Sequence, residues 1–191
     1  MKSFRHLLAA AFIFTIFAAH AQNEMPKGFD KGSIVLRDGD SLTGFLKDNL
    51  RKDSSVIFIG EAGGKKMKYQ GVDIVSAEIN DSKYLCIKGD FFKVVCNGNL
   101  CFLQKSSDAS GIPMYNGSES IFCNGTEGQP GDYFIYSTTD KQLKKISRNT
   151  IEAVAATSFA GCTAAIDKAK TVKEDFAKLK DAVEIYNSSN R

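Results

Sequence analysis

Histidine occurs only at positions 6 and 20, tryptophan is absent, and the 191 residues hold just 3 prolines. Beyond the N-terminus there is no long apolar run either. The N-terminal one, Leu7–Ala19, covers 13 residues, short of the roughly 20 that a membrane-crossing helix needs. Lys2 and Arg5 precede it, and Ala19-His20-Ala21 follows as a small-x-small site. This pattern predicts a secretory signal peptide over residues 1–21, cut between Ala21 and Gln22. The residue immediately after the cut is Gln22 and not cysteine, so a lipid anchor is not expected. Both histidines leave with this segment. The mature chain is then without imidazole, which excludes Ser-His-Asp and Cys-His nucleophilic catalysis in their usual forms. It also excludes His-liganded zinc or iron and the commonest general base near neutral pH. Carboxylate chemistry, Ser-Lys dyads, oxygen-ligated metals and thiol chemistry remain.

Charge of one sign is lacking too. The chain has 25 basic and 22 acidic residues, and loss of the signal peptide leaves 170 residues with 23 basic against 22 acidic. No Lys/Arg stripe of the kind that displaces counterions from phosphate is present, so nucleic acid is not an expected partner. A chain of this length suits one domain, divided here into a β-rich body over residues 22–148 and a helical segment over 149–191.

What the sequence does have is short apolar runs separated by turn residues, the signature of β-hairpins. Ten strands are predicted: Ser33–Arg37, Ser41–Lys47, Ser55–Ile59, Lys65–Tyr69, Ile74–Ile79, Lys83–Lys88, Phe91–Cys96, Leu100–Gln104, Tyr133–Thr138 and Gln142–Ile146. Asp38-Gly39-Asp40, Gly89-Asp90 and Asn97-Gly98-Asn99 read as turns, and connections this short require antiparallel neighbours. With Gly89-Asp90 as the loop, Ile87 would face Phe92 and Leu85 would face Val94. One sheet face then carries Leu85, Ile87, Phe92, Val94 and Cys96, and the other Tyr84, Cys86, Phe91 and Val95. Ser106–Asp132 is rich in Gly, Ser and Asn and reads as a long loop with a weak strand near Ile121. A loop of that length in a compact domain is mobile or functional.

After Ser147 the period changes. Asn149 with Glu152 signals a helix from Thr150 to about Ser158, and Thr171 with Glu174 signals a longer one to about Tyr186. Along the second, Ala169, Val172, Phe176, Leu179, Val183 and Tyr186 form one apolar stripe at 3-4-3-4-3 spacing. The stripe is expected to pack on the sheet, with a seam for homodimerisation as the alternative. The predicted class is α+β: a predominantly antiparallel β-meander of about ten short strands, then two or three C-terminal helices.

Five cysteines, Cys86, Cys96, Cys101, Cys123 and Cys162, follow the signal peptide into a compartment that permits disulfides. Cys96 and Cys101 are the disulfide candidates. A type II′ turn at Gly98-Asn99 places them directly opposite each other, whereas a type I′ turn at Asn97-Gly98 puts Cys101 opposite Val94 and the sulfurs on a diagonal. Both registers are open. No second Cys pair accompanies them, so structural zinc is not expected. Asp38-Gly39-Asp40-Ser41 lacks the further ligands of a calcium loop. Asn116, Asn124 and Asn187 begin Asn-x-Ser/Thr triplets. No cofactor, metal or catalytic residue emerges.

The opening Gly32-Ser33-Ile34-Val35-Leu36-Arg37-Asp38-Gly39-Asp40-Ser41-Leu42-Thr43-Gly44 resembles the start of exported, largely uncharacterised proteins of the Bacteroidota. Phe91-Phe92-Lys93-Val94-Val95, Leu100-Cys101-Phe102-Leu103 and Asp132-Tyr133-Phe134-Ile135-Tyr136 are similar to their middle strands. The segment from Cys162 to Asn187 is similar to their helical tail, with Thr163 where those proteins often carry proline. The resemblance implies a periplasmic or secreted protein of a Gram-negative envelope, and it implies no activity.

The function expected from these features is a non-catalytic interaction module of the cell envelope. It would use a sheet face or the Ser106–Asp132 loop against a protein or glycan. A His-independent, carboxylate-based hydrolase or lyase acting on glycan and a self-associating structural protein are the alternatives. A pocket holding two carboxylates would favour the enzyme. A shallow surface with exposed aromatics would favour the interaction module.

Overall fold

The computed structural model describes residues 25–115 and 120–189. The predicted signal peptide, its cut at Ala21–Gln22 and the Asn116 triplet lie outside these residues. Twelve strands and four short α-helices are present among the described residues. The strands are β1 (Asp30–Leu36), β2 (Ser41–Asn49), β3 (Ser55–Ile59), β4 (Met67–Gln70), β5 (Ile74–Ile79), β6 (Ser82–Ile87), β7 (Asp90–Cys96), β8 (Leu100–Lys105), β9 (Pro113–Tyr115), β10 (Ser120–Phe122), β11 (Tyr133–Ser137) and β12 (Leu143–Lys145). The helices are α1 (Leu50–Asp53), α2 (Ile151–Ser158), α3 (Thr163–Lys170) and α4 (Leu179–Ser189). The fold is α+β, an antiparallel sheet of ten strands with C-terminal helices. β9 and β10 form a separate hairpin.

The strand order is β12-β11-β8-β7-β6-β5-β1-β2-β3-β4, so β5 follows β4 in the chain but pairs with β1. In a flat sheet β4 and β5 would lie four strand spacings apart, about 19 Å. The three residues between Gln70 and Ile74 reach only about 14 Å. The sheet must therefore curl. The cross-strand pair Gly32↔Gly44 lies in the curl. A Cβ on Gly32 would come within 2.1 Å of the Glu78 carbonyl oxygen, and one on Gly44 within 2.3 Å of that of Ile59, so neither position admits a side chain. Arg37 ties the closing turn through its side-chain bond to the Val72 carbonyl and its backbone bond to Asp73.

Alternation along the strands divides the core. Inside the curl, Ile34, Leu46, Val56, Phe58, Ile74 and Phe91 pack together. Farther along the same face, Phe102, Ile135 and Ile146 meet the helices through Val154, Phe159, Ala165, Leu179 and Val183. On the other face lie Phe92, Cys101, Leu103 and Phe134, with the Phe92 and Phe134 rings edge to face at 5.2 Å. Both faces are thus buried in the β7–β8 region, where Phe91 and Phe92 are equally inaccessible.

Three expectations need correction. The loop between β6 and β7 is Lys88-Gly89, with both φ angles positive (50° and 87°), as a type I′ turn requires. Asp90 is therefore a strand residue opposite Ile87, and Leu85 faces Phe92. The slip from the predicted register is by two residues, so the other side chains keep their faces. At the far end of β7, Val94 pairs with Leu103, as the type II′ alternative requires, but a bulge then moves Cys96 opposite Phe102. Cys96 joins the helix-side cluster and Cys101 the opposite one, and all five cysteines are free thiols. Finally, the stripe from Ala169 to Tyr186 packs against the sheet, but on two helices. Thr171, read as the start of one helix, instead caps the C-terminal end of α3, its N–H and hydroxyl donating to the Lys168 carbonyl, and a 3₁₀ turn at Phe176–Lys178 leads into α4.

Candidate functional site

The loop from Ser106 to Asp132 closes on itself at its base. Lys105 N–H donates to the Asp132 carbonyl at 2.9 Å, and Gly131 N–H to the Lys105 carbonyl at 2.8 Å. Ser106 N–H bonds the Phe91 carbonyl, while Phe91 N–H donates to Ser107 Oγ at 2.8 Å. Beneath this closure lies an ion pair between Lys105 Nζ and Asp90 Oδ2 at 3.1 Å, with both side chains fully buried. Alternation explains its placement. Asp90 shares the face of Phe92, and Lys105, paired with Phe92, follows Cys101 and Leu103 on the same face. That face is the one the loop covers.

The pair is completely satisfied by the loop. Asp90 accepts from Ala109 N–H at 2.6 Å, Thr126 N–H at 2.7 Å and Thr126 Oγ1 at 2.6 Å. Lys105 donates to the carbonyls of Thr126, Glu127 and Gly128 at 2.9, 3.3 and 3.0 Å. A buried charge pair is tolerated only when its remaining protons and lone pairs are bonded in this way. Cys123 adds a further tie, its thiol donating to the Lys88 carbonyl at 3.1 Å. At the rim, backbone and side-chain hydrogen bonds from Ser110 hold the Asp108 carboxyl below the usual carboxylate range.

From this base projects the hairpin β9–β10, in register Phe122↔Pro113 and Ile121↔Met114. Ile121 is 48% exposed and Phe122 62% exposed, the one adjacent pair among the exposed large apolar side chains of the described residues. The predicted weak strand near Ile121 is thus present and faces solvent. Sequence reasoning found the loop and missed its clasp, because Asp90 read as a turn residue and Lys105 as lying just past a strand. The available signal was the row Cys101, Leu103, Lys105, which puts a lysine in an apolar face.

Five hollows among the described residues each carry a single carboxylate. Asp140 stands beside α2, Glu152 lies between α2 and α3, Asp48 beside α1, Glu78 on β5, and Glu127 at the rim of the loop. Burial works to raise the carboxyls of Asp53 and Asp132. It is outweighed by hydrogen bonds from Lys68 and Ser55 to the first and from Lys145 and the Gln129 N–H to the second, so both sit low. Among the described residues no three His, Cys, Asp or Glu side chains gather as metal ligands. Nor is any described helix long and apolar enough to cross a membrane. No protein-family model matches the chain, and neither the curated proteins nor the solved structures contain a match to it.

Proposed function

We propose that this chain is a non-catalytic interaction module, exported to the periplasm or beyond, that docks another protein through the β9–β10 hairpin. The observation that carries the reading is an apolar hairpin end left in solvent above a fully buried clasp. Phe122 is 62% exposed, while Asp90 and Lys105, which hold the base of the same loop, are inaccessible. A base held by buried bonds lowers the ordering cost of association, and the exposed Phe122 ring is the kind of anchor on which interfaces concentrate their binding energy, with Ile121 exposed on the other face of the hairpin. The separation of carboxylates into different hollows supports this reading over carboxylate-based hydrolysis, which needs two of them flanking one bond.

The test is an in-cell cross-linking pull-down of the tagged protein from its host, comparing wild type with Ile121→Ser/Phe122→Ser. Wild type is expected to retain one stoichiometric envelope protein, and the double variant to lose it with an unchanged unfolding midpoint. Retention by the variant, or no partner with wild type, would overturn the proposal.

A further inference from the structure

Among the described residues, β4 and β12 form the two outer edges of the large sheet, and β9 and β10 those of the hairpin. An open strand edge invites pairing with another chain, and lysine or proline on the edge prevents it. β4 carries Lys68, β12 carries Lys144 and Lys145, and β9 opens with Pro113. β10, Ser120-Ile121-Phe122, carries neither a charge nor a proline. We infer that this unguarded edge is how the hairpin recognises its partner, which adds an extended, uncharged strand of its own alongside β10. The inference rests on the docking role proposed above and names the means of docking.

The backbone of the hairpin is one-sided. Cys123 N–H donates to the Ile112 carbonyl at 2.9 Å, toward the β9 side. Successive residues of a strand turn their backbone groups to opposite edges. Ile121, opposite Met114, therefore bonds to β9, whereas Phe122, opposite Pro113, and Ser120, opposite Tyr115, turn N–H and carbonyl outward. Proline fits at 113 for the same reason: at a pair that does not bond across the ladder, its missing N–H costs nothing, and it leaves the outer edge of β9 without a donor. An added strand would find main-chain partners at Ser120 and Phe122, and exposed apolar side chains on both faces at Ile121 and Phe122. With both faces apolar and no charge to match, the segment that fits has adjacent β-branched or aromatic residues instead of an alternating polar and apolar row.

The test is residue-resolved amide exchange on the full exported chain, alone and in complex with the envelope protein recovered by the pull-down. The Ser120 and Phe122 amides are expected to exchange fast in the free chain and to slow about a hundredfold or more in the complex. Ser120→Pro removes one outward N–H and keeps Ile121 and Phe122. It is expected to weaken binding about tenfold, with the Ile121 amide and the unfolding midpoint unchanged because the hairpin is intact. A complex that needs Ile121 and Phe122 but leaves the Ser120 and Phe122 amides fast would overturn the strand pairing and keep the docking role. A complex indifferent to both side chains, or no complex, would overturn both. Slowing in the chain alone that grows with its concentration, together with a doubled mass, would assign the edge to a second copy and overturn the partner strand.

Discussion

Lys105 brings three protons to four acceptors, and Asp90 takes four donors, all within a face that otherwise holds Phe92, Leu103 and Phe134. Such a pair contributes little net stability compared with apolar residues of the same shape, but removing one member strands the other charge in the interior. Asp90→Asn is expected to cost about 3–5 kcal/mol in urea unfolding. It should also raise amide exchange at Ala109 and Thr126, whose N–H groups lose the carboxylate. Lys105→Met should cost a similar amount. The double variant should cost less than the two single costs combined, because neither charge is then unpaired. Additive costs would mean that the two side chains are not coupled and that the loop is held by its backbone closure alone. The sequence half-announced this pair. The alternating row placed Lys105 inward, but nothing local to Asp90 distinguishes a turn aspartate from a strand aspartate whose acceptors are filled from 36 residues away.

The elements themselves were largely legible, because hairpins and amphipathic helices are written in local periodicity. All ten strands of the sheet lie where alternation put them, and the stripe of α4 is buried as its spacing requires. Departures occur where one residue changes the count. The bulge after Val94 turns Cys96 away from Cys101, and the helix expected from Thr171 begins only with the 3₁₀ turn at Phe176, behind an additional helix, α3, that ends at Lys170. What fastens α4 is also non-local. Asn187 accepts from Leu100 N–H at 3.1 Å and donates to the Leu100 carbonyl at 2.9 Å, pairing with β8 as a neighbouring strand would. Gly98 makes room for it, since a Cβ there would fall 2.4 Å from the Asn187 amide nitrogen. The Asn-x-Ser triplet at 187 is therefore occupied by the fold, and a glycan attached there would break both bonds. Asn187→Ala is expected to lower stability by about 1–3 kcal/mol. Ser188→Ala, which removes only a bond to its own helix at Glu184, should stay within about 0.5 kcal/mol. Equal effects would show that α4 is held by its apolar stripe alone.

Over the whole molecule, the curl that brings β5 beside β1 could not be read from the sequence, because pairing order is set by which faces must close on each other. The same closure decides the fate of the five cysteines. Export would carry them into an oxidising compartment, yet all are unpaired, four are buried and Cys86 is half-buried inside the curl. Burial pushes the thiols of Cys86, Cys96 and Cys101 above their ordinary range, so the thiolate that would attack a disulfide or an oxidant is scarce at neutral pH. The fold thus protects its thiols by packing, and the protection should vanish with the packing. A disulfide-exchange reagent at pH 8 is expected to leave the native chain unlabelled over the time in which the urea-unfolded chain takes five labels. Native labelling should rise with urea in step with the loss of circular dichroism, because only unfolding exposes the sulfurs. An unfolded count of three without reductant would mean a bridge, with Cys96 and Cys101 the first pair to examine. Rapid native labelling would mean that the curled sheet opens well below the free energy of global unfolding.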